Sequence, residues 1–281
     1  MLSTKLKILA AGCMQKTINL FYKDVSNIHS VKNGIHWNLD LQEGIDFAIF
    51  IFGCFEKETT NALSRMIKKG DVVIDIGANI GAHTLHMAKS VGDKGKVFAI
   101  EPTNYAFNKL KNNIMLNPLI SNRIIPRQLL LVSEHNKNDK VSGIYSSWPL
   151  VDTDNRHRVH CGVEMSISNA KKNTLDNVIV ENRISKIDII KLDVDGNELD
   201  ILIGGQNSIT KFRPIFVMEL GPDQYEKNSN FDKVVQLMVS MGYEFYSLNE
   251  SVKYPNDSIL LRKLIPKMGS INVIAKMHVK N

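Results

Sequence analysis

One stretch of the chain constrains its fold more than any other: VVIDIGANIGAHT at Val72–Thr84, followed by VFAIEP at Val97–Pro102. An apolar strand breaks into a loop that contains Gly77 and Gly81, and a helix follows. Glu101, twenty residues beyond Gly81, ends a second apolar strand. This order of strand, glycine turn, helix, strand and acidic residue is typical of an open α/β sheet that binds a nucleoside.

The spacing of the glycines separates two classes of ligand. A dinucleotide site is expected to have G-x-G-x-x-G, whereas this loop has G-x-x-x-G with Asp75 two residues before Gly77. A carboxylate there repels a pyrophosphate but accepts a hydrogen bond from an ammonium group. The pattern favours S-adenosylmethionine (SAM) over NAD, with Glu101 accepting bonds from the ribose hydroxyls and the glycines admitting the ligand. The alternative is a structural turn without a ligand.

Composition limits the domain organisation and the partners. The 281 residues suit one α/β domain, predicted at 53–281, with an N-terminal addition at 1–52. The net charge of +6 is spread along the chain, which favours a solvated basic surface, and no nucleic-acid partner is expected. Three separated cysteines, Cys13, Cys54 and Cys161, indicate reduced thiols in a cytoplasmic protein. No apolar run approaches a membrane span, and Leu6–Leu20 is predicted as a short amphipathic helix.

Hydrophobic periodicity predicts the elements. Residues 17–52, including GIHWNLDL and IDFAIFIF, are predicted as a small β addition. Helices are expected at Glu56–Lys69, Ala82–Val91, Asn104–Met115, Leu175–Asn182, Glu198–Gly204 and Phe231–Met241. Strands are expected at Val72–Ile76, Lys96–Ile100, Ile124–Val132, Ile187–Leu192, Pro214–Glu219, Tyr243–Leu248 and Ile271–Ala275. Alternating strands and helices predict a mostly parallel, doubly wound α/β sheet of the Rossmann-like type, with the last two strands as an antiparallel pair at one edge.

A polar segment at 134–172 is predicted as an irregular insertion. Its basic cluster, Arg156, His157, Arg158 and His160, is either part of a solvated loop or an acceptor-binding lid for a glycan or phosphate. Trp148 either stacks on a sugar face or covers the core.

Acidic residues recur where predicted strands end, namely Asp75, Glu101, Asp193 and Glu219. Ligands bind outside the carboxyl ends of the strands in such sheets, so these carboxylates are expected to share one site. The segment IDIIKLDVDGNELDIL does not match the spacing of a calcium loop. Its acids either decorate a helix N-terminus or place Asp193 beside a reacting group.

Several of these motifs together resemble the FkbM family of SAM-dependent methyltransferases. They are GDVVIDIGANIGAHT, KVFAIEP, TLDN at Thr174–Asn177, IDIIKLDVDGNELDILIGG and RPIFVMEL, and GCFEKE at Gly53–Glu58 resembles the segment before the family's domain. The resemblance covers residues 53–220 and implies the class I methyltransferase fold, a seven-stranded sheet in the order 3-2-1-4-5-7-6. Two positions depart from the family pattern: Asp195, where Glu is more frequent, and His83, where an aromatic residue is common.

The resemblance implies transfer of a methyl group from SAM, usually to a hydroxyl oxygen. The acceptor would be a small molecule, a sugar or a lipid-linked glycan. Glu56 would reach the cofactor's amino end, Glu101 and Pro102 would hold the ribose, and Ser133 would face the adenine. The methionine part would be surrounded by Asp75, Gly77, Asn79 and Gly81.

Methyl transfer to an alcohol needs the hydroxyl proton to be removed. The candidate bases are Asp193 and His83, with Glu219 less favoured. A Mg²⁺ ion held by Asp193 and neighbouring carboxylates is a further possibility, whereas a metal site formed by His83 and His86 is disfavoured, so no histidine is assigned as a metal ligand.

Three rival functions remain open at this point. A nucleic-acid methyltransferase would also use SAM, but its amino-methylating members usually carry [DN]-P-P-[YFW] where this chain has KLDVDG. A SAM-binding module would bind the cofactor without turnover. A dehydrogenase is disfavoured by the G-x-x-x-G spacing.

Overall fold

The computed structural model of the protein describes residues 11–12, 14, 24–139, 141–150, 156, 161–223 and 230–277. Its strands are β1 (Ile28–Lys32), β2 (Ile35–Leu39), β3 (Val72–Ile76), β4 (Lys96–Ile100), β5 (Ile124–Arg127), β6 (Leu129–Leu131), β7 (Gly143–Ser147), β8 (Val163–Ser166), β9 (Lys171–Asn173), β10 (Ile189–Leu192), β11 (Ile215–Leu220), β12 (Tyr243–Ser247) and β13 (Ile271–Met277). Its helices are α1 (Gly44–Phe52), α2 (Lys57–Met66), α3 (Thr84–Val91), α4 (Asn104–Met115), α5 (Pro118–Ser121), α6 (Leu175–Glu181), α7 (Glu198–Gly204), α8 (Gln206–Phe212), α9 (Asn230–Ser240) and α10 (Ser258–Leu264).

Seven strands form the central sheet, in the order β12-β13-β11-β10-β3-β4-β5. The five strands from β11 to β5 are parallel, and β13 pairs antiparallel with both β11 and β12. The predicted α/β class with a large, mostly parallel sheet is confirmed, and so is the antiparallel pair at one edge. Since parallel strands end at the same edge, β3, β4, β10 and β11 deliver their carboxyl-terminal residues to one place.

Alternate residues of the strands supply two apolar layers, one on each face of the sheet. Ile74 on β3 belongs to the layer that packs against α6, α7, α8 and α9. Its neighbour Val73 belongs to the layer that includes Leu63 of α2, Leu85 of α3 and Leu110 of α4. Burial on both faces explains why these strands read as continuous apolar runs in the sequence.

The segment IDFAIFIF, predicted as a strand, lies instead in α1. A short apolar run cannot be assigned by periodicity alone, and here the ends of the segment decide the outcome. Asp46 lies in the first turn, where its charge suits the helix dipole. Gly53 ends the helix in the left-handed conformation (φ 81°), and its N–H donates to the Ile49 carbonyl. Residues 28–39 do form the expected β structure, the β1–β2 hairpin.

The strand predicted at Ile124–Val132 is divided in two. Only β5 joins the central sheet, whereas β6 pairs in parallel with β9. Pro126 lies in β5, which is tolerated because β5 is an edge strand.

The insertion at 134–172 is more regular than expected. It contains an antiparallel hairpin of β7 and β8, with a register irregularity between Tyr145 and Ser147, and it ends in β9. Arg156 donates to the Pro149 carbonyl at 2.7 Å. His157, Arg158 and His160 lie outside the described residues, as does most of the helix predicted at 6–20.

Within the described ranges, no helix has both the length and the apolar character needed to cross a membrane.

Candidate cofactor and acceptor site

The glycine loop after β3 is shaped by close backbone packing. Gly77 has a φ of 81°, and a Cβ there would overlap the Asp193 carbonyl oxygen, where β10 ends. Gly81 has a φ of 93°, and a Cβ would lie 2.9 Å from Leu110 Cδ1. Gly77 is therefore required by the close approach of the β10 end, and Gly81 by its positive φ. Both are structural reasons, in addition to the ligand access expected from the sequence.

Glu101, at the end of β4, joins the glycine loop to the following turn. Its carboxylate is 2% exposed. Oε1 accepts hydrogen bonds from Thr103 N at 2.9 Å and Thr103 Oγ1 at 2.5 Å, and Oε2 accepts from Asn79 N at 2.9 Å. Burial raises the pKa of Glu101, and the Thr103 and Asn79 bonds only partly oppose it. Oε2 keeps a second lone pair, which can accept one bond from a ligand hydroxyl.

The insertion contributes Ser146 to the same cluster. Asn79 has a φ of 47°, and its Nδ2 donates to the Ser146 carbonyl at 3.1 Å. Ser146 Oγ lies 3.2 Å from Thr103 Oγ1 and 3.5 Å from Glu101 Oε1. Sequence reasoning missed Ser146 and Thr103. Nothing in the sequence placed Ser146 here, but a hydroxyl residue two positions after a strand-end carboxylate was a usable signal for Thr103.

A buried lysine neutralises two of the predicted carboxylates. Lys191, on β10, lies with Nζ 3.1 Å from Asp193 Oδ2 and 3.9 Å from Asp75 Oδ1. Burial lowers the Lys191 pKa, but Asp193, Asp75 and Glu56 raise it more, so the net pKa lies above its ordinary value. The ammonium group nearest to Asp75 is therefore the protein's own. A lysine within an otherwise apolar predicted strand was the signal for it.

Asp75 itself faces the interior. It is fully buried, and Oδ2 accepts from Thr84 Oγ1 at 2.5 Å. Oδ1 has no hydrogen-bond partner among the described atoms. We infer that Asp75 supports the loop through Thr84 and Lys191 rather than contacting solvent.

The hydrogen bonds around His83 fix its tautomer. Thr60 Oγ1 donates to the Phe55 carbonyl at 2.9 Å, and it also lies 3.2 Å from His83 Nδ1. Because the hydroxyl proton is given to Phe55, Thr60 Oγ1 can only accept from His83, so Nδ1 carries the proton. In the neutral ring, Nε2 then carries a lone pair. Nε2 is buried, has no hydrogen-bond partner among the described residues and lies 3.7 Å from Glu56 Oε2.

Glu56 approaches from the residue before α2, in a left-handed conformation with a φ of 43°. Its Oε2 accepts from Asn272 Nδ2 of β13 at 3.1 Å. Burial raises the pKa of Glu56, but His83 and Lys191 lower it more, so the net pKa lies below its ordinary value. Glu56 is thus an ionised carboxylate between the histidine and the end of the sheet.

Two further acidic side chains, Asp195 and Glu219, converge with Asp193 beyond Lys191. Oxygen atoms of Asp193, Asp195 and Glu219 lie within 4.8 Å of one another, and Glu219 also accepts from Ser270 Oγ. Such a group is chemically able to hold a divalent cation. However, the Lys191 ammonium already lies 3.1 Å from Asp193 and would repel the ion. The donor set therefore fits Mg²⁺ poorly.

Residues 75–245 match the family described as the methyltransferase FkbM domain. The chain belongs to this family. Because the match includes the glycine loop, Glu101 and both acidic strand ends at Asp193 and Glu219, the FkbM domain contains most of the cluster described above. Glu56 and Asn272 lie outside the matched range.

Curated relatives of the FkbM domain are distant. The hexuronic acid methyltransferase AglP of Haloferax volcanii is 28% identical over 163 residues, which are 58% of this chain and 61% of AglP. The 2-O-methyltransferase NoeI of Sinorhizobium fredii is 23% identical over 190 residues, 63% of this chain and 75% of NoeI. The chain thus spans less than two thirds of the length of AglP.

A solved structure of a methyltransferase FkbM from Methylobacillus flagellatus is also similar. It is 15% identical with a TM-score of 0.44, over 74% of this chain and 43% of that one.

Three other residues considered in the sequence, Ser133, Pro102 and His86, make different contacts. Ser133 is buried after β6, where a Cβ on Gly204 would lie 3.4 Å from its Cα. Pro102 follows Glu101, and its carbonyl accepts from Gln128 at 3.4 Å. The His86 ring packs against Trp37, with centroids 6.3 Å apart, and burial lowers the His86 pKa to about 4. His86 is therefore a core histidine that packs against Trp37.

Proposed function

We propose that this protein transfers a methyl group from SAM to a hydroxyl oxygen of a sugar-containing acceptor. Membership of the FkbM family supports the methyl transfer. The relatives named as a hexuronic acid methyltransferase and a 2-O-methyltransferase support the choice of a sugar hydroxyl. The main structural support for SAM binding is the hydrogen bond from Asn79 N to Glu101 Oε2. It holds the carboxylate that would bind the ribose against the glycine loop.

In this proposal the cofactor lies across the carboxyl ends of β3 and β4. Glu101 Oε2 accepts a bond from a ribose hydroxyl with its remaining lone pair. Glu56, ionised and partly exposed, accepts from the ammonium of the methionine part. Asp75 takes a supporting role, since it is fully buried and faces Lys191.

His83 is the proposed base. The acceptor oxygen attacks the methyl carbon, the carbon–sulfur bond breaks, and the electron pair stays on the sulfur of S-adenosylhomocysteine. The hydroxyl proton passes to His83 Nε2, where Glu56 at 3.7 Å stabilises the resulting imidazolium. Asp193 is the weaker candidate because its carboxylate is already paired with Lys191.

The cofactor proposal is tested by calorimetric titration of the full chain with SAM and, separately, with NAD. We expect SAM to bind and NAD not to bind. Glu101→Ala should weaken SAM binding by about tenfold or more, because it removes a buried charged acceptor. Tight binding of NAD without SAM would instead support a dehydrogenase.

The base proposal is tested by single-turnover rates with hexuronic acid glycosides as acceptors. His83→Gln should lower the rate of methyl transfer by about 10²–10⁴-fold with little change in SAM affinity. Asp193→Asn is the comparison, and a larger loss there than in His83→Gln would transfer the role to Asp193. If SAM binds but neither sugars nor nucleic acids are methylated, the chain is a binding module.

A further inference from the structure

Helix α10 turns an apolar face to the solvent. Leu261 is buried beneath the helix, whereas Ile259, Leu260 and Leu264 are 65%, 51% and 54% exposed. At 100° per residue, Ile259 lies about 160° from Leu261, Leu260 about 100° and Leu264 about 60°, so the three side chains form one exposed arc that begins beside the buried Leu261. An exposed helix side is normally polar, so this face has no partner among the residues that the structure describes.

The same face also has positive charge. The segment 253–268 contains four lysines and arginines and one acidic residue, Asp257; Lys253 pairs with Glu244 and Arg262 with Asp232, which leaves Lys263 and Lys267 for the exposed face. Lys263 lies between Ile259 and Leu260 in the helical projection, in the middle of the apolar face, and it is exposed. Lys267 and Met268 extend the surface into the next turn, where Met268 is 38% exposed. We call Ile259, Leu260, Lys263, Leu264, Lys267 and Met268 the α10 surface.

The α10 surface adjoins the candidate site. Two residues after Met268, Ser270 donates to Glu219 of the acidic group. Ile271 then pairs with Leu220, at the carboxyl end of β11. The surface and the proposed acceptor side therefore lie at the same edge of the sheet.

We propose that the α10 surface binds an anionic phospholipid membrane. The three aliphatic side chains enter the boundary between headgroups and acyl chains, and the lysines contact lipid phosphates. The central Lys263 argues for lipid rather than for a second protein. In a protein interface it would be buried at the core, where charges are depleted, whereas at a bilayer its long stem lets the ammonium reach the headgroups.

The consequence is an orientation of the enzyme on the membrane. With α10 in the headgroup layer, we expect the carboxyl edge of the sheet to lie near the bilayer, because the chain passes from α10 into β13 at that edge. An acceptor attached to a lipid then reaches the site without leaving the membrane. Membrane binding itself does not depend on the proposed methyl transfer.

The test is co-sedimentation of the full chain with vesicles of phosphatidylcholine alone or mixed with phosphatidylglycerol. We expect binding to the mixed vesicles that weakens with added salt. The double variant L260S/L264S should bind at least about tenfold more weakly. Lys263→Glu should lower binding to the anionic vesicles about five- to tenfold.

Matched controls are Leu119→Ser on α5 and Val180→Ser on α6, which remove side chains that are 87% and 75% exposed elsewhere. Both should bind vesicles like the parent, and melting curves check that every variant is folded. Equal binding of the parent and L260S/L264S would overturn the proposal. A second outcome would also overturn it: the parent does not bind vesicles and is a dimer by light scattering, whereas L260S/L264S is a monomer.

Discussion

Lys191 determines the electrostatics of the site at the scale of a single residue. It is the cation between two carboxylates, Asp75 and Asp193, and one of these is fully buried. A buried ion pair of this kind contributes little net stability to the fold. Removing the lysine, however, leaves the buried carboxylate charge uncompensated.

Lys191→Met should therefore destabilise the protein by about 3–5 kcal/mol. Urea unfolding at neutral pH measures this loss. Lys186→Met is the control, since Lys186 is half-exposed and pairs with Asp188 at the surface; it should cost under about 1 kcal/mol.

Thr60 is expected to position His83 by holding its tautomer. Thr60→Val removes the acceptor of the Nδ1 proton, and turnover should fall about 10–100-fold. Thr60→Ser keeps the hydroxyl and should retain the rate. Nitrogen chemical shifts of the His83 ring in Thr60→Val should show a mixture of tautomers, whereas an unchanged tautomer would reduce Thr60 to a packing residue.

The place of a single residue in the site could be predicted where its position at the end of a strand could be predicted. Glu101, Asp193 and Glu219 follow from the ends of apolar runs, and the structure places each at the carboxyl edge of the sheet. The roles of Lys191 and Ser146 did not follow: the apolar strand marks Lys191 as unusual, but its partners, like those of Ser146, depend on which strands and hairpins are neighbours. Local spacing contains no information about such pairing.

At the scale of elements, Glu43 connects the N-terminal addition to the insertion. Its carboxylate accepts from Ser147 Oγ at 2.9 and 3.0 Å and from Trp148 N at 3.1 Å. Gly44 N donates to the Trp148 carbonyl beside it. Burial raises the pKa of Glu43 to about 7, against the opposing Ser147 bond.

This raised pKa predicts a pH-dependent stability. The folded state holds the Glu43 proton more tightly than the unfolded state, so the free energy of unfolding falls as the pH rises from about 4.5 to 7 and stays low above that. Glu43→Gln should remove up to about 3 kcal/mol of this fall. Chemical unfolding from pH 5 to pH 8 measures it, and an equal pH dependence of Glu43→Gln and the parent would contradict the prediction.

The β7–β8 hairpin is expected to contribute to the affinity for SAM. Ser146→Ala removes a hydroxyl that contacts Thr103, Asn79 and Glu101, so SAM affinity should fall about fivefold. Ser142→Ala, at an exposed position just before β7, is the matched control for calorimetry. Equal affinities of the two variants would contradict a role of the hairpin in binding.

Elements were predicted well where two signals agreed. Val72–Ile76 and Asn104–Met115 have the predicted bounds, because apolar periodicity and flanking glycine or polar residues point to the same ends. The helix α1 was missed because its apolar run is too short to show a period. The β7–β8 strands were missed because the hairpin is polar and half-exposed.

At the scale of the whole molecule, ligand binding should stabilise the fold measurably. At a hundredfold excess over its dissociation constant, SAM should raise the melting temperature by about 5–10 °C. Thermal unfolding with and without SAM tests this, and Glu101→Ala should lose most of the shift. NAD at equal concentration should produce none.

The position of β13 also determines how this molecule can be made. Strand β12 is synthesised before β13, yet among the described strands it pairs with the sheet only through β13. Until β13 has been synthesised, β12 therefore has no strand partner, although the Tyr243 ring can already pack against Phe216 of β11. An unpaired strand edge favours aggregation of the nascent chain. We therefore expect this edge to be the part of the molecule that a chaperone would protect during synthesis.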